Sequence, residues 1–350
     1  MSRDIAVVAF AQTRHSGEDL GLAEIEMLAP VITEIKEKTG RRRFGFTCSG
    51  SCDYLAGAPF AFVSALDTVG AWPPISESHV EMDGAWALYE AWVKLLHGDI
   101  DTALVYGFGK STQGHLRAIL TQQLDPYTVA PLGIDAVSLA ALQARAYLER
   151  SGAKEDDLRA VAARSRAAGR SNPFALHLPD PDGSAADHDY DVAPLHPYDV
   201  APVTDGAAAI VLAAGDTARE LCERPAWITG IDHRTEAHAP GVRDLTRSES
   251  ARLAGEKAGA DGIEVAELHA QYTHEELILR EALGLGDDVT VNPSGGALSA
   301  NPMMAAGLIR IGEAAARIHD GTASRTLGHA SSGPCLQQNL VCVLSGEKNG

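Results

Sequence analysis

The sequence predicts an α/β fold built from two similar halves. Short apolar, β-branched runs typical of buried strands alternate with segments whose apolar residues recur every three or four positions, as in helices. A helix, then a His with Asp and Gly beside it, then a strand ending in small residues occurs twice, in LHGDIDTALVYGFG and RIHDGTASRTLGHASSG. The alternation favours layered α/β packing, and the recurrence favours a duplicated domain.

The first half begins with a buried strand at Ile5 to Phe10. Helical periodicity extends from Leu22 to Lys38, where Pro30 is expected to kink or break the helix. A second strand is predicted at Phe44 to Cys48. A strong helix is predicted at Gly84 to His97, because its apolar residues lie three and four apart. The buried strand TALVYGFG follows that helix.

The pattern changes between about residues 111 and 201, where helical pieces lie among loops rich in Pro, Asp and His. Such a stretch is expected to be an insertion laid over the core. The strand DGAAAIVLAAG returns at Asp205 to Gly215 and closes the first half, which is predicted to span residues 1–215. Residues 216–350 are predicted to form the second half, which starts with a strand at Trp227 to Asp232 and a helix at Ser248 to Ala258.

Composition restricts the partners and the compartment. The net charge of −18 argues against nucleic acid and anionic membranes as general partners. The sequence contains no run of 18 or more apolar residues, so no membrane span is expected. The first residues lack the pattern of a secretory signal. Five cysteines, an odd number in a long chain, favour a reducing cytoplasm over a disulfide framework. Cys48 and Cys52 have no second ligand pair, so two thiols are expected there and no metal.

Four segments together resemble the thiolase superfamily, especially its sterol-carrier-protein-type (lipid-transfer) branch. They are SNPFAL, PVTDGAAAIVLA, VAELHAQYTHEELILREALGLG and VNPSGGALSANPMMAAG. The resemblance runs along essentially the whole chain. It implies two βαβαβαββ halves in five α-β-α-β-α layers, usually as a dimer, with a loop domain that helps to bind coenzyme A.

The resemblance also exposes a missing nucleophile. Thiolases place a nucleophilic cysteine at the helix start, in the pattern Cys-x-x-Gly-x-x-Ala, and here Glu81 stands in that place, three residues before Gly84. Helix N-terminal N–H groups stabilise a carboxylate, so Glu81 is expected to occupy the old nucleophile pocket as a base or orienting group. The alternative is that Glu81 only caps the helix, although Asp83 is the better-placed cap.

Three further residues match or replace catalytic positions of the family. His269 stands where the family polarises the thioester carbonyl, and Tyr272 stands where Phe is common. Asn301 replaces the histidine of the usual Gly-His-Pro motif, one residue short of the usual loop length, and its amide can still donate to a thioester oxygen. A core role for the Tyr272 ring is the alternative to a role in proton transfer.

The second catalytic cysteine of the family is displaced as well. Its position falls at Ser332 or Gly333, with Cys335 two or three residues away. Cys335 is therefore the one thiol that this register allows near the site.

Coenzyme A is expected as part of the substrate, with no covalently bound cofactor. The resemblance assigns its binding to Ser294, Gly295 and Gly296 of the Asn-Pro-Ser-Gly-Gly loop. Arg164 and Arg170 are candidates for the nucleotide phosphates, because guanidinium groups suit phosphate geometry. A solvated helix face is the alternative interpretation of these arginines.

These residues favour chemistry without an acyl-enzyme. Retro-aldol cleavage of a β-hydroxyacyl-CoA needs a base, donors to the thioester oxygen and an acid for the α-carbon, but no nucleophile. We assign proton transfer to Tyr272 or Glu81, and the thioester oxygen to His269 and Asn301. The resemblance implies steroid side-chain breakdown as in actinobacteria, in a thiolase-type homodimer or heterodimer with a small OB-fold, zinc-ribbon partner.

The sequence leaves three alternatives open. A catalytically silent acyl-CoA-binding or scaffold subunit fits the lost catalytic positions equally well. An atypical 3-ketoacyl-CoA thiolase would use Cys335. A metal enzyme built on DHDYD, from Asp187 to Asp191, is the weakest of the three, because acidic loop residues are usually solvated.

Overall fold

The computed structural model describes residues 3–57, 59–181 and 189–348. The strands are β1 (Ile5–Gln12), β2 (Phe46–Gly50), β3 (Glu77–Val80), β4 (Thr102–Gly109), β5 (Gly206–Ala214), β6 (Ala226–Thr235), β7 (Val265–Glu267), β8 (Thr290–Val291), β9 (Arg325–Ser332) and β10 (Gln338–Ser345). The helices are α1 (Glu24–Thr39), α2 (Asp53–Ala56), α3 (Leu66–Val69), α4 (Gly84–His97), α5 (Leu116–Leu120), α6 (Ala136–Ser151), α7 (Glu155–Gly169), α8 (Gly215–Leu221), α9 (Glu249–Ala258), α10 (Thr273–Ala282) and α11 (Ala306–His319).

The two halves have the same strand order. The sheet runs β3-β2-β4-β5-β1-β6-β10-β9-β7-β8. Counted from its outer edge, each half therefore runs third, second, fourth, fifth, first. The halves meet where β1 pairs antiparallel with β6, with Ala6 opposite Trp227. The helix–strand pairs α4–β4 and α11–β9 occupy equivalent places, so the topology confirms the predicted duplication.

Three hydrophobic clusters separate the layers. The central cluster packs α4 and α11 between strands of both halves, with Leu88 and Leu308 fully buried. A second cluster packs α1 on the outer face of the first half, and a third packs α9 and α10 on the outer face of the second. Gly84 brings the central helices close together, because a Cβ there would lie 2.9 Å from a methyl group of Leu308. This gives the expected α-β-α-β-α order.

Most predicted elements form within a few residues of their expected bounds, but the expected break at Pro30 is absent. Pro30 lies inside the unbroken 16-residue helix α1. Five apolar residues on one face of this helix are buried against the sheet: Met27, Leu28, Val31, Ile32 and Ile35. Their burial stabilises the helix by more than the hydrogen bond that proline cannot donate.

The segment predicted as an insertion forms helices α5, α6 and α7. Ala140 and Ala144 of α6 and Leu158 of α7 form a small core of their own with Leu195. Tyr147 of α6 joins the core of the second half, so the segment covers that half. The boundary near residue 215 stays a prediction.

Candidate active site

A pocket opens between the two halves, beneath the covering segment, with about 860 Å³ of empty space when its opening to solvent is included. Its walls come from the start of α4, the loops before α10 and α11, and the loop after β9. Strands β3, β7 and β9 end beside it, as expected for a site at the carboxyl ends of parallel strands. The residues that line it and matter for chemistry are Asp83, His269, Tyr272, Glu275, Asn301, Ser331 and Cys335.

His269 and Asn301 form a buried hydrogen-bonded pair. The backbone N–H of Ser331 donates to Nδ1 of His269 at 3.3 Å, and Nε2 of His269 lies 3.0 Å from Oδ1 of Asn301. Burial lowers the pKa of His269 to about 4, so the ring is neutral at physiological pH. Since Nδ1 accepts, Nε2 carries the proton and donates to Asn301.

This arrangement leaves the amide NH₂ of Asn301 for a ligand. Its Oδ1 is occupied by His269, and its backbone N–H donates to Oγ1 of Thr204 at 3.0 Å. Within the described residues, Nδ2 of Asn301 has no hydrogen-bond partner. In this geometry His269 orients Asn301, and Asn301 presents the donor. Contact of these residues with a thioester oxygen stays a prediction.

Asp83, rather than Glu81, lies at the pocket end of α4. Asp83 is 4% exposed, and its carboxylate accepts N–H groups from Ala85, Gly307 and Leu308, each at 2.9 Å. It thus caps α4 and the first turn of α11 together. Burial raises the pKa of Asp83.

Glu81 is exposed and does not line the pocket, so the structure does not bring it to the other candidate residues. Its Oε1 instead accepts the N–H of Asp53 at 2.5 Å, at the start of α2. The displacement has a physical cause, because α4 begins at Gly84 and its first turn selects the carboxylate immediately before it.

Tyr272 lines the pocket at the start of α10, and burial raises its pKa well above the usual value. The phenol therefore keeps its proton at physiological pH and can donate a hydrogen bond. Cys335 also lines the pocket, together with Ser332 and Gly333, so the register of that loop stays a prediction. Burial raises its pKa to about 12, and its thiol points to the carbonyl of Leu139 at 3.5 Å. A thiol in this state is a weak nucleophile.

The loop that carries Cys335 is held by Arg243, which the sequence reasoning missed. Its guanidinium donates to the carbonyl oxygens of Cys335 at 3.1 Å and Pro334 at 2.9 Å. Cys335 and Leu336 both have positive φ angles, 56° and 55°. These side chains disfavour such angles, so the arginine contacts help to fix the wall of the pocket.

The Asn-Pro-Ser-Gly-Gly loop lies behind the pocket rather than on its surface. Ser294 is 2% exposed, and its Oγ donates to Glu267 at 2.6 Å while accepting from Arg310, also at 2.6 Å. Gly295 has a φ of 97° and packs so closely on Gly169 that a Cβ would lie 2.8 Å from its Cα. Gly296 is buried as well. This arrangement buries the loop against Glu267, Arg310 and Gly169; coenzyme A binding by its three residues stays a prediction.

The two arginine candidates lie on or just after α7 and are both paired. Arg164 forms an ion pair with buried Glu276, and Arg170 lies 2.6 Å from Asp180. Neither lines the pocket. Their role in phosphate binding therefore remains a prediction, and both guanidinium groups are partly exposed.

The metal alternative gains no support. Asp187 lies outside the described residues, and Asp191 forms an ion pair with Arg117 at 3.0 Å. Among described residues, no group of three or more His, Cys, Asp or Glu side chains is placed to hold a metal ion. In the same ranges, no helix is both long and apolar enough to cross a bilayer.

The chain has the thiolase fold, a mixed α/β fold with one large sheet and covering helices. The structure of the Ltp2-ChsH2(DUF35) aldolase is similar with a TM-score of 0.81 and 19% identity, over 99% of this chain and 98% of that one. The human mitochondrial 3-ketoacyl-CoA thiolase is similar with a TM-score of 0.75 and 12% identity, over 98% of each chain.

Sequence relatives agree with this fold. The benzoylsuccinyl-CoA thiolase subunit BbsB of Thauera aromatica is 26% identical over 49% of this chain, and the match spans 51% of that subunit. The acetyl-CoA acetyltransferase of Methanothermobacter thermautotrophicus is 26% identical over 69% of this chain and 70% of its own length. No family model matches the chain. The chain is thus thiolase-like in its fold and similar to these thiolases and acetyltransferases in sequence.

Proposed function

We propose that the protein cleaves the Cα–Cβ bond of a β-hydroxyacyl-CoA by a retro-aldol reaction. One observation carries this proposal. The pocket has a donor suited to a thioester oxygen, the amide of Asn301 held by His269, but the start of α4 carries the carboxylate of Asp83 and no thiol. The only cysteine among the described residues lining the pocket is Cys335, whose raised pKa disfavours the thiolate. Donors without a nucleophile suit enolate chemistry rather than acyl transfer.

The reaction balances without a cofactor or an oxidant. A base removes the proton of the β-hydroxyl, the Cα–Cβ bond breaks, and its electron pair moves into the thioester enolate. The amide of Asn301 stabilises the enolate oxygen, and an acid then protonates the α-carbon. The products are a ketone or aldehyde and a shortened acyl-CoA. Tyr272, which keeps its proton, donates a hydrogen bond to the β-oxygen.

The substrate class and partner are also proposed. The acyl group belongs to a steroid or lipid side chain, and the protein works as a thiolase-type dimer in the cytoplasm with a small OB-fold, zinc-ribbon protein. The structurally similar Ltp2-ChsH2(DUF35) aldolase combines Ltp2 with a DUF35 component, and this supports a two-component enzyme here.

The test is a product assay with the purified chain, alone and with its co-purifying partner. We expect β-hydroxyacyl-CoA to yield equimolar carbonyl product and shortened acyl-CoA, both measured by mass spectrometry. Cys335→Ala should retain this activity. Binding of acyl-CoA without cleavage, in either preparation, would instead support the silent subunit, and loss of activity in Cys335→Ala would support the thiolase alternative.

A further inference from the structure

Glu275 is a buried carboxyl of the pocket that the proposed reaction leaves unused. It lines the pocket and is 4% exposed. Its Oε2 accepts the backbone N–H groups of Gln271 at 2.9 Å and Tyr272 at 3.3 Å, at the start of α10. Its Oε1 receives no hydrogen bond from any part of the chain that the structure describes. One oxygen therefore fixes the side chain, and the other is available to a bound molecule.

The surroundings of Glu275 favour an exchangeable proton. The groups that face it from α10 and the loop after β9 are Tyr272 and Cys335, and burial followed by the charge of Glu275 raises the pKa of both. Tyr272, Cys335 and neighbouring His274 are all neutral at physiological pH, since burial also lowers the pKa of His274 to about 3. Burial raises the pKa of Glu275 to about 8, although its two backbone hydrogen bonds oppose this shift.

The arginines that act on Tyr272 and Cys335, the two neighbours of Glu275, are engaged elsewhere. Arg117 on α5 binds Asp135 at 2.9 Å and Asp191 at 3.0 Å. Arg243 donates to the backbone carbonyls of the loop after β9 and lies 3.7 Å from Glu236. No ion pair holds Glu275 in its charged form within the described residues, so both protonation states are accessible near neutral pH.

We propose that Glu275 is the proton-transfer group of the pocket. Its free oxygen takes the proton of the substrate β-hydroxyl as the Cα–Cβ bond breaks, and it returns that proton to the α-carbon of the enolate. One proton moves through one carboxyl, so no other acid or base is needed. This inference rests on the proposed function and supplies the base that neutral Tyr272 does not.

A purely structural role makes the opposite prediction. Glu275 is the third residue of α10, the position at which Glu or Gln closes a capping box. Gln accepts the same two backbone N–H groups through its amide oxygen but cannot take up a proton. Glu275→Gln therefore separates capping from proton transfer.

The experiment compares wild type, Glu275→Gln and Glu275→Asp, with Glu281→Gln as the matched control. Glu281 lies on the same helix, but its side chain is 47% exposed and pairs with Arg150. The first readout is deuterium incorporation at the α-carbon of propionyl-CoA in D₂O, a partial reaction that requires no knowledge of the full substrate. The second readout is cleavage of β-hydroxyacyl-CoA. Circular dichroism checks that each variant is folded.

We expect Glu275→Gln to lower both rates about 100-fold or more, the usual scale of general acid–base catalysis, with Glu281→Gln unchanged. Glu275→Asp should restore part of the rate, and the wild-type exchange rate should rise with pH up to about 8. Deuterium exchange that is lost in Glu275→Gln, with no cleavage even by wild type, would support this inference and reject the retro-aldol proposal. Cleavage equal in wild type and Glu275→Gln would reject Glu275 alone, and a folded wild type showing neither reaction would reject both.

Discussion

At the residue scale, the orientation of one amide determines what the pocket can bind. Oδ1 of Asn301 accepts from neutral His269 at 3.0 Å, so its NH₂ group is presented to a ligand. The backbone of Ser331 fixes the histidine tautomer, and Oγ of the same serine donates to the carbonyl of His269 at 2.8 Å. The donor is therefore set in place before substrate binds, as electrostatic stabilisation of an enolate requires.

Asn301→Ala should lower kcat by roughly 100- to 1,000-fold, because it removes the donor to the enolate oxygen. Stability should change little by comparison, because the backbone N–H that binds Thr204 is retained. Product formation and urea unfolding measure the two effects separately. A variant that turns over at a rate near wild type would contradict the assignment.

His269→Ala should act through the same donor. Because the histidine only orients Asn301, the double variant should be about as slow as Asn301→Ala alone. A double-mutant cycle in kcat measures this coupling. Additive losses would show that His269 contacts the substrate independently.

The sequence predicted part of this site for a clear reason. His269, Tyr272 and Asn301 lie inside the short segments that resemble thiolase motifs, so their positions could be read from the sequence. The pocket brings all three together. Asp83 was the better-placed cap of α4 in the sequence, but its place in the pocket could not be predicted, since it also depends on the backbone of Gly307 and Leu308, more than 220 residues away. Glu275 escaped notice because an acidic third residue of a helix is expected for capping alone.

At the element scale, Asp83 joins the two central helices. Its carboxylate accepts N–H groups at the start of both α4 and α11, and the N–H of Gly84 donates to the carbonyl of Met304 at 2.8 Å. These contacts tie the beginning of α4 to the loop that carries Asn301. The fold of each helix was predictable from its apolar spacing, but this cross-connection was not, because it depends on tertiary contacts.

Asp83→Ala should lower the free energy of unfolding by roughly 2–4 kcal/mol, since two helix starts each lose a cap. Glu81→Ala is the matched control, two residues away and exposed, and should cost at most about 1 kcal/mol. Urea unfolding at neutral pH measures both. Equal, small losses would show that the buried carboxylate does not stabilise the helix starts.

The start of α10 should show a distinctive pH dependence. Glu275 has a folded-state pKa of about 8 against an ordinary value of 4.5, so the folded state holds the proton more tightly. The stability from this group is complete below about pH 4.5 and is lost as pH rises to about 8, by up to about 1.4 kcal/mol per pH unit. Glu275→Gln should lack this decline. Parallel stability–pH curves, measured by chemical unfolding, would contradict the raised pKa.

At the scale of the whole molecule, duplication places the pocket. Two halves with the same strand order pack their α4 and α11 helices together, so loops from both halves converge on one site. Alternating strand and helix patterns made this architecture predictable. The thiolase fold is thus present with a different set of reactive side chains. The carboxylate of Asp83 caps the start of α4, and the thiol of Cys335 in the pocket is buried.

Intact-protein mass spectrometry during turnover tests cleavage without an acyl-enzyme most directly. The protein is mixed with β-hydroxyacyl-CoA, quenched in acid at early times and compared with Cys335→Ala. We expect shortened acyl-CoA in solution and an unmodified protein mass in both samples. A wild-type adduct with the mass of an acyl group, absent from Cys335→Ala, would contradict cleavage without an acyl-enzyme.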